Sequence, residues 1–217
     1  MDYLILFLFL STLSVGFFLA LKNKNIDVSK GLLTRELAQS DKYPFAAAIY
    51  VKTTTNTSFC GGTLLTNQWI LTAGQCVYGA ELFTIYLGSN DVEGDNPNRI
   101  TVITTDYVLY PDFNPETLQH DVALIKLPMP IELNEYVRRA DLPKRDVEIG
   151  ATFITINWAQ SSDQEPRVNT NLLTVLSNTE CTMTNYNRIT QDMICLSGSY
   201  NEGICVVSVI FNINVVN

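Results

Sequence analysis

The sequence predicts an all-β protein, and three observations support that prediction. Hydrophobic residues make up 47% of the 217-residue chain, which is enough apolar material for a core. β-branched and aromatic residues come in short runs separated by turn residues, a pattern typical of strands. No segment keeps the 3.6-residue hydrophobic period of a long helix.

Six strand-like runs precede Pro128, a number that suits one small closed barrel. A single helical turn is expected at Ala73–Val77, with Thr72 as its cap. The six predicted strands are Ala46–Lys52, Gly62–Leu65, Trp69–Thr72, Leu82–Leu87, Ile100–Leu109 and Val122–Leu127.

The second half of the chain predicts another set of strands. Pro128 and Pro130 favour an extended connection that reaches about Leu142. Beyond this connection, the predicted strands are Thr152–Ile156, Asn171–Ser177, Met193–Leu196 and Val206–Val216.

The N-terminal segment has the pattern of an export signal. An apolar run from Leu4 to Leu21 is followed by Lys22 and Lys24. We expect residues 1–20 to be a secretory signal peptide that is removed. The alternative is a signal anchor that stays in the membrane, because the run approaches spanning length. Residues 21–31 are short and polar, like a small propeptide.

The charge distribution argues against several partners. The net charge is −8, and no run of basic residues is longer than Arg138-Arg139, so nucleic acid and anionic lipid are not expected partners. With one histidine in the chain, a transition-metal site has little support, and we expect no cofactor. Asp91, Glu93 and Asp95 form either a solvated acidic loop or a calcium site.

Three motifs in matching order and spacing give the chain a resemblance to a known family. Cys60-Gly61-Gly62 comes first, residues 69–76 are W-I-L-T-A-G-Q-C, and Asp121 follows Gln75 by 46 residues in D-V-A-L-I-K-L. Together these resemble the chymotrypsin-like (trypsin-like) serine proteases, with the look of insect members. The likeness covers most of the predicted domain, residues 32–217.

The resemblance implies two six-stranded antiparallel β-barrels. The first barrel is expected to be complete. Only twelve residues follow Cys205, so the second barrel is expected to be truncated. Cys205 has no partner left, because the resemblance implies the disulfides Cys60–Cys76 and Cys181–Cys195.

The catalytic positions depart from the family pattern. The family has its general-base histidine where this chain has Gln75, and a carboxamide cannot shuttle a proton near neutral pH. Asp121 matches the acidic residue that orients this histidine. Here we expect Asp121 to accept a hydrogen bond from the Gln75 amide or from backbone N–H groups. His120 is expected to be a surface residue in a strand, facing away from Asp121.

The nucleophile position also departs from the pattern. With Cys205 aligned to the family's cysteine, Val209 stands at the nucleophile and Val207 replaces a glycine of the oxyanion hole. Ser208 is expected to be an ordinary tail serine. No competent catalytic residue is predicted, which leaves Gln75 and Asp121 as vestigial positions.

These inferences predict a secreted serine protease homologue that acts by binding extracellular proteins, including proteases of a cascade. After signal removal, no membrane association is expected. The alternatives are a serine endopeptidase whose sequence here is defective, and a product that does not fold. Asn56-Thr57-Ser58 is a glycosylation sequon, so Asn56 is a candidate modification site.

Overall fold

The computed structural model describes residues 4–6, 43–92, 95–144, 146–161, 164–182 and 193–198. In these ranges it consists of two antiparallel sheets and two short helices, so the all-β prediction is confirmed. The elements are β1 (Leu4–Leu6), β2 (Ala46–Lys52), β3 (Thr57–Leu64), β4 (Trp69–Thr72), α1 (Gly74–Val77), β5 (Leu82–Leu87), β6 (Ile100–Thr104), β7 (Tyr107–Leu109), β8 (Ala123–Lys126), β9 (Thr152–Ser161), β10 (Gln164–Leu176), α2 (Asn178–Thr182) and β11 (Cys195–Gly198).

The first sheet has seven strands in the order β6-β5-β2-β3-β4-β8-β7. Its two edge strands, β6 and β7, are consecutive in the chain and are separated only by Thr105 and Asp106. Two hydrogen bonds tie this bend to β8: the Thr104 hydroxyl donates to the Lys126 carbonyl (2.8 Å), and the Lys126 N–H donates to the Asp106 carbonyl (2.9 Å). The sheet therefore curls until its two edges meet in one bent segment.

The curl encloses an apolar core. Along β5 the burial alternates strictly, so every second side chain points inward, as a one-sided strand requires. Gly62 lies where β3 packs tightly: a Cβ there would come within 2.7 Å of both Ile49 Cδ1 and Ile70 Cγ2. The fully buried side chains of this core include Ile49, Leu64, Ile70, Phe83, Ile85, Leu87 and Ile125.

The second sheet has four strands in the order β1-β11-β10-β9, and β9 and β10 form a long hairpin. After β10, Ser177 and Glu180 form a capping box at α2: the Ser177 Oγ accepts from the Glu180 N–H (3.1 Å), and Glu180 Oε2 accepts from the Ser177 N–H (2.9 Å). An apolar cluster joins the two sheets: it includes Ala48 of β2, Val92 of the connection between β5 and β6, and Trp158 and Val168 of the second sheet.

Several predicted strands agree with the structure, and others differ. β2, β4 and β5 have the predicted bounds. The single strand predicted over Ile100–Leu109 is wrong, because the bend at Thr105 and Asp106 divides it in two. β9 and β10 are longer than predicted, since their hairpin pairing extends well beyond the hydrophobic runs.

The predicted cap of α1 is also wrong. The cap position is Ala73, and no side chain hydrogen-bonds there. Thr72 is buried in β4, and its hydroxyl donates to the Gly61 carbonyl across the sheet (2.8 Å) instead. Its side chain is therefore used to join strands.

Parts of the chain that carried predictions lie outside the described residues. These are the predicted signal peptide and propeptide-like segment, apart from Leu4–Leu6 in β1, and everything from residue 199 onward, including Cys205, Val207, Ser208 and Val209. Within the described part of the chain, no helix has the length and apolar character needed to cross a membrane.

Candidate functional site

Gln75 and Asp121 meet at the start of the four-residue helix α1. The backbone N–H of Gln75 donates to Asp121 Oδ1 (2.7 Å), and the side-chain Nε2 of Gln75 donates to Oδ2 (2.8 Å). Both arrangements that the sequence left open for Asp121 are therefore present at once. Gln75 alone thus supplies two N–H donors to the carboxylate.

The surrounding elements fix this pair. The disulfide Cys60–Cys76 joins β3 to α1, with the two Cα atoms 6.2 Å apart. Gly74 lies against the loop that carries Asp121: a Cβ at Gly74 would come 2.9 Å from Phe113 Cδ2 and 3.2 Å from Asp121 Oδ1. A glycine at this position lets α1 approach the carboxylate closely.

The electrostatics of Asp121 follow from its burial. Burial raises the pKa of Asp121 above its ordinary value, while hydrogen bonds from the Gln75 N–H, the Gln75 side chain and the Gly74 N–H act in the opposite direction. All three donors are neutral amides. They offset the cost of removing the carboxylate from water only in part, so burial decides the direction of the shift.

The Gln75 amide cannot replace an imidazole in this arrangement. An imidazole can take up a proton near neutral pH and then be stabilised as a cation by the neighbouring carboxylate. A carboxamide stays neutral throughout this range, so it can donate a hydrogen bond to Asp121 but cannot act as a general base.

His120 differs from its prediction in backbone conformation. It was expected in a strand, but β8 begins only at Ala123, and His120 lies in a turn with a φ of 56°. The side chain is exposed, as expected for a surface histidine. Its ring stacks on Tyr110, with the ring centroids 5.4 Å apart. The turn, rather than strand alternation, therefore determines where the imidazole points.

The other predicted site residues are spread over the molecule. The second disulfide, Cys181–Cys195, joins α2 to β11. Asn56 is exposed in the turn between β2 and β3. Asp91 and Asp95 are described but Glu93 is not, and the described residues contain no group of three or more His, Cys, Asp or Glu side chains that could hold a metal ion.

Sequence reasoning missed two features of this site. The first is Gly74, whose lack of a side chain lets α1 lie against Phe113 and Asp121. The second is a set of exposed side chains beside the pair: Tyr78 packs on Phe113 with ring centroids 5.8 Å apart, and Tyr110 hydrogen-bonds through its N–H to the Val122 carbonyl (3.2 Å). A glycine directly before Gln75 is visible in the sequence and can indicate a close approach. The residues it approaches, Phe113 and Asp121, are distant in the sequence.

Comparison with known proteins identifies the family. The trypsin family model matches residues 34–206, which is most of the chain. The chain belongs to the trypsin family. Its fold is accordingly the chymotrypsin-like one.

Individual relatives agree with this assignment. Brachyurin of Leptuca pugilator is 28% identical over 172 residues, which cover 77% of this chain and 74% of brachyurin. Trypsin I-P1 of Gallus gallus is 32% identical over 162 residues, which cover 73% of this chain and 64% of that trypsin. The solved structure of HL collagenase superimposes with a TM-score of 0.67 at 27% identity, covering 75% of this chain and 72% of the collagenase.

Proposed function

We propose that this chain is a secreted, non-catalytic serine protease homologue that acts by binding other proteins in an extracellular proteolytic pathway. The observation that carries the proposal is the pairing of the Gln75 amide with Asp121. In an active trypsin the equivalent carboxylate orients a histidine and stabilises its cation. Here it is bound to a group that cannot become a cation at neutral pH.

Loss of the nucleophile supports the same proposal. Aligned on Cys205, the chain has Val209 at the nucleophile position and Val207 in the oxyanion hole. A valine side chain has no nucleophilic atom, so acylation would lack its attacking group. The two departures affect separate steps of the reaction, and each alone would strongly reduce turnover.

Secretion is supported by the covalent framework and by the N-terminal sequence. Two disulfides join elements of the structure, and disulfides persist mainly in oxidising compartments. The apolar run Leu4–Leu21 has the composition of an export signal. On this proposal the mature protein carries both disulfides outside the cell.

Binding is supported by the surface beside the vestigial site. Tyr78 is 57% exposed, Tyr110 is 45% exposed and Val122 is 37% exposed. Aromatic side chains that combine an apolar ring with a polar tip are enriched at protein–protein interfaces. This face is where we place contact with a partner protein, with proteases of the pathway as the first class to test.

The test is active-site labelling of the secreted full-length chain with a fluorophosphonate probe, with chicken trypsin as the positive control. We expect no labelling, and we expect Gln75→His to remain unlabelled and without peptide hydrolysis, because the histidine would still have no nucleophile to activate. A labelled serine in either protein would overturn the proposal. Ser208→Ala would then show whether Ser208 is the labelled residue.

The second candidate is a serine endopeptidase. The retained Asp121 and the match to the trypsin family favour it. It predicts labelling of the wild-type chain and hydrolysis that depends on one serine. Recovery of only insoluble protein, with none in the medium, would instead favour a product that does not fold.

A further inference from the structure

The turn between β2 and β3 presents a sequon in an accessible form. Residues 54–58 are all exposed, and Asn56 occupies the last position of the turn before β3 begins at Thr57. Two hydrogen bonds lie within the turn: the Thr53 N–H donates to the Asn56 carbonyl (2.8 Å), and the Asn56 N–H donates to the Thr53 hydroxyl oxygen (3.1 Å). Asn56 is therefore held at the surface.

The two side-chain atoms of Asn56 differ in their contacts. Its Oδ1 accepts from the Thr57 N–H (2.8 Å), which orients the amide group along the start of β3. Its Nδ2 makes no hydrogen bond to any residue that the structure describes. The nitrogen that would carry a sugar is thus the atom that the fold leaves accessible.

We propose that Asn56 carries an N-linked glycan. In this transfer Nδ2 bonds to the anomeric carbon of an oligosaccharide held on a lipid diphosphate. The bond from that carbon to the phosphate oxygen breaks, the lipid diphosphate leaves, and Nδ2 loses one proton. The folded structure accommodates the product because the attached sugar would extend into solvent from an exposed turn. The proposal rests on the export proposed above.

The position of the glycan bears on binding. Asn56 is four residues from Cys60 along the chain, and Cys60 is bonded to Cys76, the neighbour of Gln75. A strand advances about 3.3 Å per residue, so the glycan would begin roughly 13 Å from the disulfide beside the vestigial site. A partner that docks on this end of the barrel would have to accommodate the glycan or contact it.

The test uses the full-length chain expressed in mammalian cells, with cell and medium fractions treated with peptide N-glycosidase F. We expect the secreted wild-type chain to lose one glycan on treatment, and peptide mass spectrometry to locate the converted residue at position 56. The sequence has no other Asn-X-Ser/Thr sequon, so a glycan at Asn56 would account for the whole shift in gel mobility on treatment. Asn56→Gln and Ser58→Ala should both migrate like the treated wild-type chain.

Thr57→Ala is the matched control, because it changes an exposed neighbour of Asn56 and leaves the sequon intact. The Thr57→Ala chain should therefore keep the shift in gel mobility on treatment. A wild-type chain that reaches the medium without a sensitive glycan would overturn the glycosylation and leave secretion standing. A glycosylated chain that stays inside the cell would support the glycan and contradict secretion, and an unglycosylated chain that never leaves the cell would contradict both.

Discussion

Gln75 binds the carboxylate of Asp121 with two hydrogen bonds, one from its backbone and one from its side chain, at 2.7 Å and 2.8 Å. The two residues are 46 positions apart in the chain, so this pairing joins α1 to the segment before β8. The neutral amide groups of Gln75 therefore make a structural contact with the Asp121 carboxylate.

The first prediction concerns the energy of this contact. Gln75→Leu should lower the free energy of unfolding by about 1 kcal/mol, because Asp121 Oδ2 loses its side-chain donor while staying part-buried. In a cycle with Asp121→Ala, measured by urea denaturation, the two effects should be strongly non-additive.

Gln68→Leu is the control for this cycle. Gln68 Nε2 donates to the Leu127 carbonyl (3.1 Å), so its replacement also removes a part-buried amide hydrogen bond, but away from Asp121. Its effect should add to that of Asp121→Ala. Additive effects for the Gln75 pair as well would contradict the role given to the side-chain bond.

The second prediction concerns pH. Because burial raises the pKa of Asp121 above 3.8 in the folded state, the folded chain binds this proton more tightly than the unfolded chain. The resulting stability contribution is fully present below pH 3.8 and is lost as the pH rises through the raised pKa. This sign is opposite to that of a salt-bridged aspartate.

Comparison of the wild-type chain with Asp121→Asn isolates this contribution from the other carboxylates. As the pH falls over the acidic range, the urea midpoint of the wild-type chain should rise relative to that of Asp121→Asn. Gln75→Leu removes a hydrogen bond that favours the carboxylate, so the pKa of Asp121 should rise further. The loss of its stability contribution should then extend to higher pH than in the wild-type chain. A wild-type chain that gains stability relative to Asp121→Asn as the pH rises through this range would show that the pKa is lowered instead.

Local sequence patterns predicted the strands whose alternation is simple. β5 alternates buried and part-buried residues without interruption, and its bounds were predicted correctly. The bend at Thr105 and Asp106 was not predictable in this way, because it depends on the Thr104 hydroxyl bonding a carbonyl on β8, 22 residues away. Hydrophobic periodicity carries no information about such a contact.

The candidate site was also predictable only in part, because some of its features depend on contacts between residues that are distant in the sequence. The resemblance to the serine protease motifs implied that Gln75 and Asp121 are neighbours, and residue chemistry indicated which hydrogen bonds they can make. The conformation of His120 was not predictable, since a positive φ of 56° is uncommon for a residue other than glycine and is set by the surrounding turn. The contact of Gly74 with Phe113 required the folded structure.

The third prediction follows from the packing of Gly74. Gly74→Ala should destabilise the fold by about 1–3 kcal/mol, because a Cβ would overlap Phe113 Cδ2 and press on Asp121 Oδ1. It should also alter the pH dependence that Asp121 produces, since the carboxylate must shift. Urea denaturation at several pH values measures both effects.

Gly62→Ala is the matched control for this variant. A Cβ at Gly62 would overlap Ile49 and Ile70 in the core, so stability should fall by a similar amount. The contribution of Asp121 to the pH profile should nevertheless stay unchanged. Equal pH profiles for Gly74→Ala and the wild-type chain would mean that α1 does not position the carboxylate.

The fourth prediction separates the two disulfides. They close loops of 16 and 14 residues, so on a chain-entropy estimate each stabilises the fold by roughly 3 kcal/mol, and removing either by paired Cys→Ala changes should cost similar amounts. The local effects of the two disulfides should differ.

Cys60–Cys76 anchors the helix that carries Gln75, whereas Cys181–Cys195 ties α2 to β11 in the other sheet. Hydrogen exchange at the Gln75 amide should therefore accelerate in the first variant more than in the second, and equal acceleration in both would contradict an anchoring role for Cys60–Cys76 at this site.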